Sequence, residues 1–299
     1  MVVWRFVDGK PGHESQSAGL VRALVERRDT RVFDLPVQGR RRSWLSLLLG
    51  GRCADASLPD PDLLVGAGHA THPALLACRR SRGGRAVVLM RPSLPLRWFD
   101  LCIVPEHDAV APRLNVILSR GALNSAKPVA VGRGDAGLVL VGGPSAHHGW
   151  STAGLREAVA ALLQKDPRDW TIATSRRTPA DTVEALRELA DGRVRLVTPE
   201  QTAPGWLVGQ MGLHAVAWVT EDSVSMLYEA LTAGAACGVL PVPAKRPGRV
   251  QRGLQRLLDE GVVTSFSAWR DGRELVASDP PLDESGRCAD WILDRWFAG

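Results

Sequence analysis

The residues best suited to chemistry are concentrated in one stretch, AVAWVTEDSVSMLYEALTAGAACGVLPV, residues 215–242. A strand ending near Val219 leads into Thr220, Glu221 and Asp222 as a turn, and a helix follows. Ser223 or Asp222 can cap that helix by accepting from a free backbone N–H, and Gly234 supplies its stop. A helix start offers unpaired N–H donors and a partial positive charge. Small hydroxyl residues there, Ser223 and Ser225, let a phosphate reach the backbone. Glu229 stands six residues after Ser223, roughly 9 Å along the helix at ~1.5 Å per residue. That distance suits a carboxylate accepting from a ribose whose phosphates rest on the helix start. Glu221 precedes Glu229 by eight positions. A capped amphipathic helix with solvated acids fits the same spacing.

Two more loops carry groups for the same task. LVLVGGPSAHHGW joins a strand to Gly142 and Gly143, which admit close backbone approach to an anion, and to Ser145, His147 and His148 as donors. The alternative is an ordinary glycine turn with surface histidines. WTIATSRRTPADT places Ser175, Arg176 and Arg177 after a strand, with Thr178 as the expected cap and Pro179 at the first helical position. Arginine makes bidentate phosphate contacts, although a solvated Arg pair fits equally. Three such loops in one half, each at a strand's carboxyl end, reinforce one another.

In the first half, DGKPGHESQ also lies between a strand and a helix. It is neither a dinucleotide fingerprint nor a P-loop, because the G-x-G-x-x-G spacing and the GK[ST] ending are absent. It gathers Asp8, Lys10, Gly12, His13, Glu14 and Gln16. Asp8, His13 or Glu14 could deprotonate a hydroxyl, or the loop could be a capping turn. GAGHATHP sets His69 and His72 after another strand, and RWFDLCIVPEHD carries Glu106, His107 and Asp108 past a third. Gly12, Gln16, His69 and His107 are the candidates for the acceptor side. A zinc site from His13, His69 and His72 lacks any spacing signature, so no metal is expected. Arg40, Arg41 and Arg42 before Trp44 form a basic start to an apolar stripe, which suits an anionic membrane surface or a core-facing helix with a charged end.

These loops require an alternating scaffold. Short apolar or β-branched runs at 2–7, 31–35, 63–66, 86–90 and 101–104, and then at 138–141, 170–174, 215–219 and 237–240, read as strands. Helical patterns run to about Arg28 and over 71–80, 154–164, 179–189, 223–233, 250–260 and 288–297. Such alternation implies parallel α/β sheets. A Gly/Ala/Ser-rich stretch, 119–137, reads as a linker, giving domains 1–128 and 129–299, with the last helix free to pack back on the first domain. The expected fold class is α/β, two Rossmann-like domains facing across a cleft, with ligands at the carboxyl ends of the strands.

The bulk numbers agree with a globular chain. Of 299 residues 45% are hydrophobic and 23% charged, and 37 Lys and Arg against 32 Asp and Glu leave a formal charge of +5. That excess favours anionic partners but is too scattered to indicate nucleic acid. Five dispersed cysteines suggest a reducing compartment and argue against a disulfide framework. The N-terminus lacks a signal-peptide core, and no run is long enough to span a membrane. A cytoplasmic protein, able to sit peripherally on the inner membrane face, is expected.

VDGKPGHESQSAGL, RWFDLCIVPEHD, VGGPSAHH, SRRTP and VTEDSVSMLYEA together resemble, in order, the signatures of the mitochondrial-fission ELM family. The resemblance spans nearly the whole chain. The fission role that names the family belongs to its plant members. The family pattern is in turn similar to GT-B glycosyltransferases, which hold a nucleotide-sugar donor mainly in the C-terminal domain. This resemblance implies a metal-independent transferase using a nucleotide diphosphate sugar as substrate, with no resident cofactor and with cell-envelope glycans or lipid-linked acceptors as candidates. Nucleotide-sugar epimerase and non-catalytic scaffold are the alternatives. It further implies that Glu221 and Glu229 resemble the donor-binding acids of retaining enzymes, one near the sugar and one at the ribose. His13 resembles the loop histidine near the acceptor. Arg176-Arg177 stands where many retaining enzymes have Arg and Lys.

Overall fold

Strand burial alternates face by face, and this sets the layers. The computed structural model describes residues 1–37, 57–129, 134–203, 205–245 and 248–298. Arg40–Arg42 and Trp44 lie outside the described residues. The chain divides into two units, Met1–Ser125 with Glu284–Gly299, and Ala126–Asp283.

In the first unit, strands β1 (Val2–Val7), β2 (Arg31–Pro36), β3 (Leu63–Ala67), β4 (Arg85–Leu89), β5 (Leu101–Pro105) and β6 (Val116–Ser119) form one sheet. Its order is β2-β1-β3-β4-β5-β6, and every neighbouring pair is parallel. Parallel strands need crossovers and are covered on both faces. Val3, Leu63, Val65, Val87, Leu101 and Ile103 meet Leu20 and Leu24 of helix α1 (Pro11–Arg27) on one face. Trp4, Phe6, Leu64, Val88, Cys102 and Val104 meet Leu75 and Leu76 of α2 (His72–Arg82) on the other. Successive side chains thus serve opposite cores, as period 2 requires.

The second unit repeats the design with β7 (Gly134–Val141), β8 (Trp170–Thr174), β9 (Val194–Val197), β10 (His214–Thr220), β11 (Ala236–Leu240) and β12 (Thr264–Ser265). The order is β12-β11-β10-β7-β8-β9, again all parallel. Helices α3 (Thr152–Lys165), α4 (Ala180–Arg187) and α8 (Phe266–Arg270) cover one face. Helices α5 (Trp206–Leu213), α6 (Val224–Ala233) and α7 (Arg249–Asp259) cover the other. Strands β6, β9 and β12 and helices α5 and α8 go beyond the elements read from the sequence.

Helix α9 (Glu284–Trp296) belongs to the first unit. Its Cys288, Ala289 and Ile292 join the α1 face of that core. Arg27 pairs with Asp290 at 2.6 Å, and Ser285 Oγ donates to Asn124 O at 3.1 Å. Gly19 permits this approach, since a Cβ there would collide with Asn124 O. The division therefore falls three residues before the expected 128/129 boundary, and the last helix leaves the second unit.

Cys102, Cys237 and Cys288 are buried thiols outside any disulfide. Cys78 is disulfide-bonded, a pairing that runs against the reading of dispersed cysteines as evidence against a disulfide framework. No helix among the described residues is long and apolar enough to cross a membrane.

Two tryptophans fill the second unit's core where the neighbouring strand offers only glycine. Trp170 lies opposite Gly137 and Trp218 opposite Gly238, and a Cβ at either glycine would run into the indole ring. Gly238→Ala is expected to destabilise the protein by about 1–3 kcal/mol through overpacking. Urea denaturation with an unchanged m-value checks it, and a neutral result would mean that the indole has room to shift.

Candidate functional site

In the second unit three strand-to-helix loops close on one buried carboxylate. Asp222 follows β10, and its side chain is 0% exposed. Its Oδ2 accepts from Gly143 N at 3.0 Å, from Arg177 Nη2 at 2.8 Å and from Ser223 Oγ at 2.9 Å. A buried carboxylate must be hydrogen-bonded or paired, because desolvation of the charge is costly. Arg177 also donates to Gly143 O at 2.7 Å and to Ser223 Oγ at 3.1 Å. Gly142 N donates to Thr220 Oγ1 at 2.9 Å, while Ser175 Oγ and Thr178 Oγ1 donate to Gly142 O. A Cβ at Gly142 would collide with Ser223 and Asp222, and one at Gly143 with Arg177.

This geometry redistributes the roles read from the sequence. Gly142, Gly143, Arg177, Thr220, Asp222 and Ser223 do come together. Their polar groups largely bond to one another, so the glycines serve loop-to-loop contact and their N–H groups are already engaged. Ser223 occupies the N-cap position of α6 but makes no capping bond, because its hydroxyl turns to Asp222. Thr178 does not cap α4, whose N-cap is Pro179; its hydroxyl bonds Gly142 O instead.

What remains open is the end of α6. The N–H groups of Val224, Ser225 and Met226 meet no protein acceptor among the described residues. Ser225 is exposed on that turn, and Arg176 is exposed on the loop after β8. Uncapped N–H donors at a helix start form an anion site by charge and by direction. Glu229 lies half-buried on the same helix. Glu221 Oε2 accepts from Val242 N at 3.3 Å, and burial pushes its carboxyl above the ordinary range despite that bond. Ser145 Oγ accepts from His147 N and His148 N, closing a turn. His148 is buried, and desolvation holds it below its ordinary value against the pull of Asp222.

The first unit gathers different chemistry. His13 Nδ1 lies 2.9 Å from Asp8 Oδ2, and the Asp8 side chain is 3% exposed. Nδ1–H donating to that carboxylate leaves Nε2 as the proton-accepting nitrogen. The ring rests against Gly68, where a Cβ would overlap it. Glu14 is tied down, since its Oε1 accepts from Gly9 N at 2.9 Å. Of the three candidate bases, His13 backed by Asp8 has the geometry. Gly12 lies in the first turn of α1 with open space around it, and Gln16 is one turn along. His69 is exposed on the loop after β3, and His107 lies in the short 3-10 turn after β5.

His72 is 1% exposed, packs edge-on against Phe99 at 5.2 Å, and neither ring nitrogen has a partner. Burial, with His69 and His13 nearby, lowers it from 6.5 to about 4. Among the described residues no three His, Cys, Asp or Glu side chains are grouped as metal ligands.

The family model described as mitochondrial fission ELM1 matches residues 11–296. No curated protein matches the chain in sequence. Among solved structures, the UDP-GlcNAc 2-epimerase from Methanocaldococcus jannaschii is similar at TM-score 0.59 and 10% identity, covering 98% of this chain and 100% of the other. A further UDP-N-acetylglucosamine 2-epimerase gives TM-score 0.60 and 15% identity over 98% and 95%. S. aureus MnaA, solved with UDP, gives 0.54 and 13% over 98% and 94%. The likeness shows the fold, a GT-B-like α/β chain with two Rossmann-like sheets.

Two outcomes follow from these contacts. Arg177→Ala removes one donor from a buried carboxylate and is expected to cost about 1–3 kcal/mol, with a coupling energy to Asp222→Asn in a double-mutant cycle; additivity of the two would deny the clamp. For His72, the unfolded chain takes up a proton below 6.5 that the folded ring refuses until about 4. Stability should therefore fall as pH drops through that window, by about 3 kcal/mol at most. His72→Leu should flatten this limb in pH-dependent denaturation, and an unchanged limb would refute the assignment.

Proposed function

The chain belongs to the mitochondrial fission ELM1 family, and from that premise we propose that its second unit binds a nucleotide diphosphate sugar and that the protein is a metal-independent glycosyltransferase. The observation that carries this reading is the open N-terminus of α6, fixed in place by the Asp222 clamp. Its free N–H groups, with Ser225 and Arg176, receive the diphosphate, and Glu229 accepts from the ribose. Preorganised donors at a developing leaving-group charge are the main electrostatic lever for such a transfer. The first unit contributes a proton acceptor of its own, His13 oriented by Asp8. Glu221 is assigned the role of a neutral acid toward the donor sugar, a role that the upward push of burial on its carboxyl favours. A soluble or lipid-linked glycan acceptor, met at the inner membrane face, belongs to the same proposal.

A second reading is favoured by the structural likenesses, which are to UDP-GlcNAc 2-epimerases. An epimerase would use the same diphosphate site and need no acceptor.

The first test is thermal-shift and calorimetric screening with UDP, GDP, ADP and CDP, in which one is expected to raise the Tm. Failure of all four would remove the donor site. Incubating the matching nucleotide sugar alone and with candidate acceptors then separates the reactions. Conversion without acceptor means epimerase, conversion only with acceptor means transferase, and binding without turnover means a scaffold. Glu221→Gln should preserve diphosphate affinity while lowering turnover about 100-fold or more. Wild-type affinity should weaken as pH rises through the raised Glu221 value, and the Gln variant should lose that dependence. A large affinity loss in the variant would contradict the neutral-acid role.

A further inference from the structure

The segment after β11 is tied to the loop after β7 by a contact that no motif announces. Ala244 and His148 pair as an antiparallel bridge. Gly149 N donates to Pro243 O at 2.7 Å, and Lys245 N donates to His147 O at 2.9 Å. These bonds form a short clasp between two strand-to-helix loops of the same unit. At its end the Lys245 ammonium lies 3.2 Å from Ser145 O. Ser145 is two residues beyond Gly143, whose N–H is bound to Asp222 at the start of α6. The clasp therefore carries an exposed cation alongside the loop that packs on the open helix end.

Arg177, which meets the same loop, is committed. Turning Arg177 toward a phosphate would break its bonds to Asp222, Ser223 and Gly143 O together. It would leave a carboxylate of 0% exposure with one donor fewer, an expensive state. Lys245 has no such obligation. An ammonium has three donors; one goes to Ser145 O, and two remain for a ligand. Its backbone is held by the clasp, while its long side chain stays adjustable.

We propose that Lys245 is a second cation, beside Arg176, that binds the diphosphate at this site and that Arg177 is a positioning residue, holding the loops without touching the ligand. The proposal rests on the reading of α6 given above. It adds a residue outside every motif noted in the sequence, on the segment that follows β11 and pairs with the loop after β7.

The test is isothermal titration of the full chain with UDP, GDP, ADP and CDP and with inorganic pyrophosphate. Lys245→Ala is expected to weaken the diphosphate that the wild type binds, and pyrophosphate, by about tenfold or more, with an unchanged Tm. Lys245→Arg should recover most of the loss. If the wild type binds and Lys245→Ala binds equally well, the Lys245 assignment is overturned while the helix-end site stands. If the wild type binds none of these probes, both fall.

Discussion

A carboxylate without solvent governs the second unit. Asp222 is sealed at the carboxyl end of β10, where isolation would be prohibitive. Its donors come from three separate loops, Gly143 after β7, Arg177 after β8 and Ser223 at the head of α6. None of these loops can move independently without taking a donor from Oδ2, while Oδ1 is buried with no partner among the described residues. The composition of the loops follows from that constraint. Gly142 and Gly143 are glycine because the partners occupy the space a Cβ would need. Ser223 is small and hydroxylated because it bridges Asp222 and Arg177. With that hydroxyl diverted, α6 forgoes a side-chain cap, a loss of about 1 kcal/mol. A local sacrifice of this kind, fixed by a buried charge, marks a functional position more strongly than a glycine pair alone.

The sheets were legible because parallel strands buried on both faces read as short continuous apolar runs. LLVGA, AVVL, LCIV and LVLV announce themselves in this way. The elements that escaped notice each lack such a signal. β6 is four residues of VILS following a proline-bearing loop, β9 is split by Arg195, and β12 is two residues long. Helix α5, WLVGQMGL, is apolar on nearly every side and carries two glycines, so it shows no 3.6-residue stripe. The allegiance of α9 depends on Asn124, Asp290 and the bare flank of Gly19, contacts between residues more than 100 positions apart that periodicity cannot express.

The site was legible by residue type more than by role. Hydroxyls, glycines and arginines at strand ends point to loops that do meet around Asp222, because topology sends every such loop to the same edge of a parallel sheet. Which donors face outward was decided by Asp222, whose burial no local pattern reveals. Arg176 and Arg177 are exposed neighbours of one type, yet Arg177 is also tied to Asp222, Ser223 and Gly143 O. Lys245 was passed over for the complementary reason. It sits in PVPAKRPG, a segment of prolines that reads as a connector, and its place is set by backbone pairing with His147, about a hundred residues earlier.

The two units show how one architecture can hold opposite kinds of chemistry. In the second, fixed charges and helix N–H groups dominate, which suits a task of stabilising negative charge without reorganisation. In the first, the strand-end residues are polarisable and titratable. Asp8 fixes the tautomer of His13, Glu14 ties the loop to itself, and Gly68 gives the imidazole a flat seat. Arg5 in that unit is already paired with Asp34, and Arg79 with Asp100, so these arginines are bound to structural duties. Each unit thus meets the cost of a buried carboxylate in its own way: Asp222 takes donors from the loops after β7, β8 and β10, whereas Asp8 is held within a single loop, by the His13 ring and Lys10 N.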